Sequence, residues 1–260
     1  MISGTALVTG AGDRLGRALA IHLAEMGFDV AIHYANSSAG AEETARIVRE
    51  RGCRAATLQA DLLDLDAAEA LVGRAVAELG QLTVLVNSAS IFEHDTLQTA
   101  TRDSWTRSIN SNLYAPFILT QAFAAQAPKA ELDDASEPTA KACVVNMIDQ
   151  RVRKLTPDFS SYTIAKMGLW AFTQTAAMGL APDIRVNAIG PGPTLRGGRQ
   201  TDEDFAKQRQ ATILERGSNP EEIIRTLEFL IRNPALTGQL ICVDGGQHLA
   251  WQTPDVVGVE

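Results

Sequence analysis

Seven short apolar segments alternate with helical segments along the chain, and this alternation constrains the fold more than any other feature. The apolar segments lack a polar face, which is typical of strands that are covered on both sides of a sheet. Strand–helix alternation predicts a parallel, doubly wound sheet with right-handed crossovers. The predicted strands are 5–9, 29–34, 54–59, 82–87, 142–148, 184–189 and 240–243, and the predicted helices are 15–26, 40–51, 66–78, 103–126, 160–180 and 220–231.

The length and composition suit one domain of this class. With 260 residues, 45% of them hydrophobic and 21% charged, the chain resembles an ordinary globular protein in composition and can bury a large core. We therefore predict a single α/β domain over residues 1–260, a Rossmann-type fold with a seven-stranded parallel sheet flanked by helices. Ligands of such sheets bind beyond the carboxyl ends of the strands, so the residues that follow each strand are candidates for chemistry.

Two segments interrupt the alternation. Residues 128–140 are acidic and contain proline, which predicts an exposed loop. Residues 190–217 are rich in glycine and proline and follow a predicted strand, which is typical of a substrate lid, although a plain surface loop has the same composition. Pro116 predicts a bend within the long helix 103–126.

The charge and the metal-ligand residue types exclude several kinds of partner. A net charge of −8 repels phosphate backbones, so we expect no nucleic-acid partner. Cys53, Cys143 and Cys242 lie far apart and the four histidines have no metal-ligand spacing, so we expect no metal site and a reducing compartment. We find neither a secretory signal pattern nor an unbroken apolar stretch of membrane-spanning length, so we expect a cytoplasmic protein without a membrane partner.

A glycine-rich turn joins the first strand to the first helix. Its sequence is Thr-Gly-Ala-Gly-Asp-Arg-Leu-Gly, and it runs from Thr9 to Gly16. Glycines let a backbone approach a pyrophosphate closely, and the helix N-terminus supplies N–H donors and positive potential. Arg14 opposes the helix dipole at this end unless an anion lies there, so it favours a bound phosphate. The alternative is a glycine turn without a ligand and a surface arginine.

The end of the second strand indicates which dinucleotide fits. NAD sites often carry an acidic residue there. This chain has His33, Tyr34, Asn36 and Ser37 instead, which favours the 2′-phosphate of NADP(H). Asp61, after the third strand, either accepts from an adenine amino group or caps a helix.

Tyr162 and Lys166 are four residues apart in a predicted helix, and therefore share a face. A phenol has a pKa near ~10, and a neighbouring ammonium stabilises the phenolate and lowers that pKa. Such a pair can work as a general acid or base. The alternative is a half-buried tyrosine beside a lysine that extends to solvent. Asp149 follows the apolar strand 142–148, and Asn112 lies in the long helix.

Taken together, these residues resemble the short-chain dehydrogenase/reductase family over nearly the whole chain. The resemblance implies that Tyr162 donates a proton, that Lys166 lowers its pKa and holds the nicotinamide ribose, and that Asn112 helps to hold a water. It also implies a homotetramer. The matching motifs are Thr9-Gly10 to Gly16, Asp61, Asn87-Ser88-Ala89-Ser90, Asn112, Tyr162 with Lys166, Arg185-Val186-Asn187, Pro191-Gly192 and Val243-Asp244-Gly245-Gly246.

Three departures from the common family pattern are similar to pteridine reductases, the NADPH-dependent enzymes that reduce pterins and folates. Arg14 replaces the middle glycine, Ser88 and Ser90 replace asparagine and glycine, and Asp149 replaces the catalytic serine. This closer resemblance implies that Phe92 stacks on the pterin ring. The implied cofactor-binding residues are Gly10, Arg14, Leu15, Gly16, His33, Tyr34, Asn36, Ser37, Asp61, Leu62, Asn87, Ser88, Ala89, Lys166, Pro191 and Gly192, and the implied substrate-binding residues are Arg14, Ser90, Phe92, Asp149, Tyr162, Pro193 and Leu195.

Asp149 separates the hypotheses about the substrate. An ionised carboxylate cannot donate to a ketone oxygen and repels a developing alkoxide, whereas it suits a heterocycle that bears N–H and amino donors. The favoured hypothesis is therefore an NADPH-dependent reductase of a pterin or dihydrofolate-like substrate, with Asp149, Tyr162, Lys166 and Asn112 at the catalytic centre. One alternative is a short-chain carbonyl reductase of the 3-oxoacyl or sugar-ketone type, with Asp149 turned away. Another is a non-catalytic protein that senses NADP(H).

Overall fold

A computed structural model of the chain describes residues 2–253 and Val257, while Met1 and residues 254–256 and 258–260 of the predicted domain lie outside the described residues. The main sheet has seven strands in the order β3-β2-β1-β4-β7-β8-β9, and every pair of neighbours is parallel. The direction of winding reverses between β1 and β4. The strands are β1 (Thr5–Val8), β2 (Asp29–Tyr34), β3 (Ala55–Gln59), β4 (Leu82–Asn87), β5 (Glu131–Leu132), β6 (Pro138–Thr139), β7 (Ala142–Met147), β8 (Ile184–Pro191) and β9 (Leu240–Val243).

Helices cover both faces of the sheet, as the apolar strands predicted. The described helices are α1 (Arg14–Glu25), α2 (Ser38–Glu50), α3 (Leu65–Leu79), α4 (Arg102–Ile109), α5 (Ala115–Gln126), α6 (Ser160–Gly179), α7 (Asp202–Gln210) and α8 (Pro220–Arg232), with a π-helical turn (Asn110–Tyr114) and 3₁₀ turns (Gln150–Arg153 and Gln247–Leu249).

Successive residues of β1 pack into two of the three hydrophobic clusters of the core. Ala6 and Val8 of β1 pack with α1, α2 and α8, whereas Leu7 between them packs with α3, α5 and the end of α6. All three residues are fully buried. The period of two along a strand therefore requires apolar residues at every position. The predicted single Rossmann-type domain with a seven-stranded parallel sheet is confirmed.

The long helix predicted over 103–126 is instead two helices joined by the π-helical turn Asn110–Tyr114. Pro116 lies in the first turn of α5. Proline is tolerated there because an N–H in the first turn has no partner within its own helix. The predicted single helix is therefore wrong, and the interruption lies in the π-helical turn before Pro116.

The two interrupting segments contain structure that the composition did not predict. Residues 128–140 include the short antiparallel pair β5–β6, and most of the segment is exposed, as expected. In residues 190–217, β8 continues to Pro191, and α7 forms behind a capping box between Thr201 and Asp204. A reciprocal cap satisfies two backbone donors, so it can start a helix despite neighbouring glycines.

Over residues 2–253 and Val257, the structure contains no helix long and apolar enough to cross a membrane. The same residues contain no group of three or more His, Cys, Asp or Glu side chains that could hold a metal ion.

Candidate active site

A cavity of about 680 Å³ opens at the carboxyl ends of the central strands, beside the point where the winding reverses. One end is bordered by the glycine turn before α1, and the other by Asp149, Tyr162 and Lys166. The cavity therefore brings together nearly all of the site residues predicted from the sequence. Asn87, Asn112 and Pro193 are the predicted residues that do not border it.

The glycine turn has a conformation that only glycine permits. Gly10 has φ of +67°, and a Cβ atom there would lie 2.9 Å from Cα of Ala89. A Cβ on Gly16 would lie 2.1 Å from the carbonyl oxygen of Gly10. Because α1 begins at Arg14, the N–H groups of Leu15 and Gly16 have no acceptor within the helix. These two donors face a site that can take an anion.

Arg14 joins the glycine turn to the predicted lid. Its guanidinium donates to the carbonyl oxygens of Leu195, at 3.2 Å, and Arg196, at 2.9 Å. These hydrogen bonds explain an arginine at this end of α1 without an anion. The phosphate and substrate contacts implied for Arg14 stay proposals.

His33 holds the glycine turn from beneath. The side chain is buried, its Nδ1 accepts from the Gly10 N–H at 3.1 Å, and its Nε2 donates to the Ala60 carbonyl at 3.1 Å. Both ring nitrogens are thus committed to the backbone, although the residue borders the cavity. Burial lowers the pKa of His33 to about 4.

The lowered pKa of His33 predicts a pH-dependent stability. The unfolded chain binds a proton at a pKa near ~6.5, whereas the folded chain resists protonation down to about pH 4, so acid favours unfolding in this window. We expect the free energy of unfolding to fall by about 3 kcal/mol from this residue as the pH falls from 7 to 4. Urea unfolding of the wild type and His33→Gln at several pH values checks this prediction. Equal pH slopes for the two proteins would contradict it.

The end of β2 carries no acidic side chain. Asn36 and Ser37 are exposed at the cavity edge. Asp61 also borders the cavity, and its carboxylate accepts from the Leu63 N–H at 2.9 Å. The residue that caps α3 is Asp64, so the helix-cap alternative for Asp61 is wrong.

Asp149, Tyr162 and Lys166 form one connected cluster. The hydroxyl of Tyr162 donates to Oδ2 of Asp149 at 3.1 Å, and Oδ1 of Asp149 accepts from the Arg151 N–H at 2.8 Å. Nζ of Lys166 donates to the Met147 carbonyl at 2.8 Å and lies 5.6 Å from the centre of the Tyr162 ring. Tyr162 and Lys166 are buried.

Burial shifts the pKa values of all three side chains in this cluster. Burial and the negative charge of Asp149 raise the pKa of Tyr162 well above its ordinary value. Burial raises the pKa of Asp149 and lowers the pKa of Lys166 to about 8. The net shift of the Tyr162 pKa is thus upward, mainly through burial, and the predicted lowering of that pKa by Lys166 stays a prediction.

Two predicted residues lie behind the cavity wall. Asn112 is fully buried in the π-helical turn, where Oδ1 accepts from the Ser90 hydroxyl at 2.7 Å and from the Ile91 N–H at 3.1 Å. Asn87 donates to Oδ1 of Asn146 at 2.8 Å. Both asparagines therefore support the loop and strand ends that form the site, and their implied roles toward a water or a cofactor stay proposals.

Pro193 is also set apart from the cavity. It is buried, and its carbonyl accepts from Arg209 of α7 at 2.9 Å. The backbone of this segment is thus fixed to α7, while Leu195, two residues later, borders the cavity.

Phe92 lies at the cavity edge and is 45% exposed. It meets Tyr162 edge-on, with ring centres 4.8 Å apart, and stacks on Phe159 at 4.3 Å with 5° between the planes. Phe159 has φ of +59°, which is strained for an aromatic residue. Phe159 was not predicted as a site residue, because no local pattern shows that residues 92 and 159 meet.

Asp95 fixes Phe159 through its backbone carbonyl and fixes the next turn through its buried carboxylate. The backbone carbonyl of Asp95 accepts from the Phe159 N–H at 2.7 Å, and its carboxylate accepts from the Ser161 N–H at 3.1 Å and the Ser161 hydroxyl at 2.5 Å. Asp95 thereby ties the start of α6, which carries Tyr162 and Lys166, to the loop that carries Phe92. This residue was also missed, since its role depends on a contact between distant segments.

Comparisons with known proteins agree with this architecture. A family model described as enoyl-(acyl carrier protein) reductase matches residues 10–248. The 3-oxoacyl-[acyl-carrier-protein] reductase FabG of Staphylococcus aureus is 30% identical over 250 residues, which are 94% of this chain and 98% of that protein. The probable galactose dehydrogenase GalD of Rhizobium meliloti is 30% identical over 247 residues, which are 92% of this chain and 93% of that protein.

Solved structures show the same relationship. FolM alternative dihydrofolate reductase 1 from Brucella suis, in complex with NADP, superimposes with a TM-score of 0.89 at 42% identity, over 96% of this chain and 97% of that one. The angucycline C-6 ketoreductase LanV with bound NADP gives a TM-score of 0.84 at 28% identity, over 95% and 98% of the two chains. The chain therefore belongs to the short-chain dehydrogenase/reductase family.

Proposed function

We propose that this protein is an NADPH-dependent oxidoreductase that reduces a pterin or dihydrofolate-like substrate. The observation that carries the proposal is the hydrogen bond between the hydroxyl of Tyr162 and the carboxyl group of Asp149. A carboxyl group at this place recognises a ring with N–H and amino donors, and it opposes the negative charge that develops on a ketone oxygen. The similarity to a solved alternative dihydrofolate reductase, at 42% identity, supports the same substrate class.

The residues present fit a bound NADP(H). The N–H groups of Leu15 and Gly16 suit its pyrophosphate, and Asn36 and Ser37 offer donors without a carboxylate that would repel a 2′-phosphate. Lys166 suits the hydroxyls of the nicotinamide ribose. Similar structures hold NADP, which supports this choice of cofactor. When bound, the cofactor supplies a hydride from its nicotinamide ring.

The proposed cofactor preference predicts the effect of one added charge. In Asn36→Asp, a carboxylate lies at the exposed end of β2 and repels a 2′-phosphate, whereas it accepts from the free hydroxyl of NADH. We expect the Kd for NADPH to rise about tenfold relative to that for NADH, which corresponds to about 1.4 kcal/mol. Titration of the protein fluorescence with each nucleotide measures this ratio. A ratio unchanged by the substitution would contradict the assigned position of the 2′-phosphate.

The side chains of the cluster manage protons at the substrate ring. Asp149 accepts from ring N–H and amino groups and positions the ring, while the exposed part of Phe92 supports it by stacking. Tyr162 holds a proton at its hydroxyl up to high pH, because burial and Asp149 raise its pKa. The ring nitrogen next to the reduced carbon takes its proton from this pair. The positive charge of Lys166 would stabilise the phenolate that Tyr162 becomes when it gives up its proton.

Isotope transfer tests the proposed reaction. The protein is incubated with dihydrobiopterin and with NADPH deuterated at the transferred position of the nicotinamide. We expect the tetrahydrobiopterin product to gain one deuterium on a ring carbon, measured by mass spectrometry. Absence of labelled product, while the NADPH remains unoxidised, would overturn the proposal.

A carbonyl reductase is the second candidate, because FabG, GalD and LanV are similar in sequence or structure. In this case a ketone would bind through Tyr162 alone. A non-catalytic NADP(H)-sensing protein has less support, since Tyr162 and Lys166 are both present beside the cavity.

A further inference from the structure

The edge of the cavity continues into a rigid aromatic surface. Phe92 is half exposed there and stacks on Phe159, which the backbone carbonyl of Asp95 holds in place. His94 meets the Phe159 ring edge-on at 5.0 Å. This surface is therefore held in shape at the edge of the cavity.

Two guanidinium groups border this aromatic pair. Cζ of Arg199 lies 5.6 Å from the centre of the Phe92 ring and 5.5 Å from that of Phe159, so the guanidinium is nearly equidistant from the two stacked rings. Its Nη2 donates to the Phe92 carbonyl at 2.9 Å. Cζ of Arg151 lies 4.9 Å from the centre of Phe159.

One N–H donor of the Arg151 guanidinium is not used by its hydrogen bonds. Its Nη1 donates to the Thr156 hydroxyl at 2.6 Å and to the Asp158 carbonyl at 3.3 Å. Nε of the same group is buried and has no hydrogen-bond acceptor among the described residues. A buried N–H of this kind costs free energy unless a ligand satisfies it.

The nearby carboxylates are already engaged. Asp149 accepts from Tyr162 and from the Arg151 backbone, Asp158 accepts from His94 at 3.0 Å, and Glu93 pairs with Arg107 at 3.0 Å. Arg151 does act on Asp149, since its charge offsets part of the rise in the pKa of that carboxyl. Within residues 2–253, however, neither Arg151 nor Arg199 forms an ion pair with a carboxylate. The charge of Arg199 therefore has no ion-pair partner among the described residues at this edge of a chain whose net charge is −8, and the charge of Arg151 is offset in part by Asp149.

We propose that Arg151 and Arg199, which both lie close to the Phe92–Phe159 pair, form a subsite for a carboxylate-bearing tail on the substrate. The proposal rests on the proposed function, because the tail must extend from a ring stacked at Phe92. Planar guanidinium groups bind carboxylates through paired N–H donors, and aromatic rings beneath them hold an aryl linker. A substrate of this class carries both, as dihydrofolate does with its aminobenzoyl-glutamate tail, whereas dihydrobiopterin has no carboxylate.

The main variant is Arg199→Gln, because Arg199 is exposed and makes one backbone hydrogen bond. We expect the ratio of kcat/KM for dihydrofolate to that for dihydrobiopterin to fall about tenfold, mainly through KM, as befits loss of one charge-assisted hydrogen bond. Arg199→Glu should lower the ratio further, and added salt should lower it in the wild type. Arg225→Gln, at an exposed position on α8 outside the cavity, removes the same charge and should leave the ratio unchanged. An unchanged ratio in both Arg199 variants would overturn the subsite.

A second measurement separates this proposal from the proposed function. Aminobenzoyl-glutamate, the tail without the pterin ring, is titrated into the wild type, Arg199→Gln and Arg151→Gln by calorimetry. Binding to the wild type that weakens about tenfold in both variants supports the subsite, even if no pterin is reduced. No binding of aminobenzoyl-glutamate to the wild type would overturn the subsite, whether or not a pterin is reduced.

Discussion

Replacing Tyr162 with phenylalanine is expected to lower kcat for pterin reduction by about a thousandfold, which is a common contribution of a general acid. The substitution removes the hydroxyl that donates to Asp149 and keeps the ring that packs against Phe92. It leaves the glycine turn untouched. NADPH should therefore still bind, with a Kd within about twofold of the wild-type value.

The control for this variant is Tyr114→Phe, which removes the same hydroxyl from an exposed tyrosine outside the cavity. Its kcat should match that of the wild type. Stopped-flow traces and nucleotide titration measure the two quantities separately. A Tyr162→Phe protein that turns over at the wild-type rate would show that the proton comes from another group.

Replacing Asp149 with serine is expected to change the substrate class. The variant loses the carboxyl that accepts from ring N–H groups and gains a hydroxyl that can donate to a ketone oxygen. We expect kcat/KM for dihydrobiopterin to fall by at least about a hundredfold, while kcat/KM for a β-ketoester stays equal or rises.

The pH dependence gives this prediction a second readout. Burial raises the pKa of Asp149, so the protonated carboxyl persists above the usual range of an aspartate. We expect this protonated form to assist proton delivery. The rate of pterin reduction should then decline as the pH rises through the raised pKa, and Asp149→Ser should lack this decline. Asp149→Asn keeps the shape of the side chain and serves as the control for packing. If the protein were a carbonyl reductase, the wild type, Asp149→Ser and Asp149→Asn would all reduce the ketone, and their activities would depend on pH in the same way.

The sequence predicted the fold well, because the decisive signals were local. Strands 29–34 and 82–87 have the predicted limits, since runs of apolar residues must lie in a sheet covered on both faces. The candidate site followed from the same logic. Asp149 and Tyr162 meet because one residue follows β7 and the other lies at the start of α6.

The remaining features depend on contacts between distant segments, which no local pattern encodes. Arg14 was predicted to bind phosphate, but its hydrogen bonds reach Leu195 and Arg196 across the cavity. The four-residue spacing of Tyr162 and Lys166 places both on one face, yet it cannot show that Nζ of Lys166 bonds to Met147. Nor can that spacing show that burial raises the pKa of Tyr162.

The most direct test of the account is the oxidation of NADPH by the wild-type protein in the presence of dihydrobiopterin, dihydrofolate or a β-ketoester, repeated with NADH. The account predicts turnover of a pterin or of dihydrofolate with NADPH, at least about tenfold higher in kcat/KM than with NADH, and slow turnover of the ketoester. Turnover of the ketoester alone would contradict it, because Asp149 would then lie away from the reacting centre.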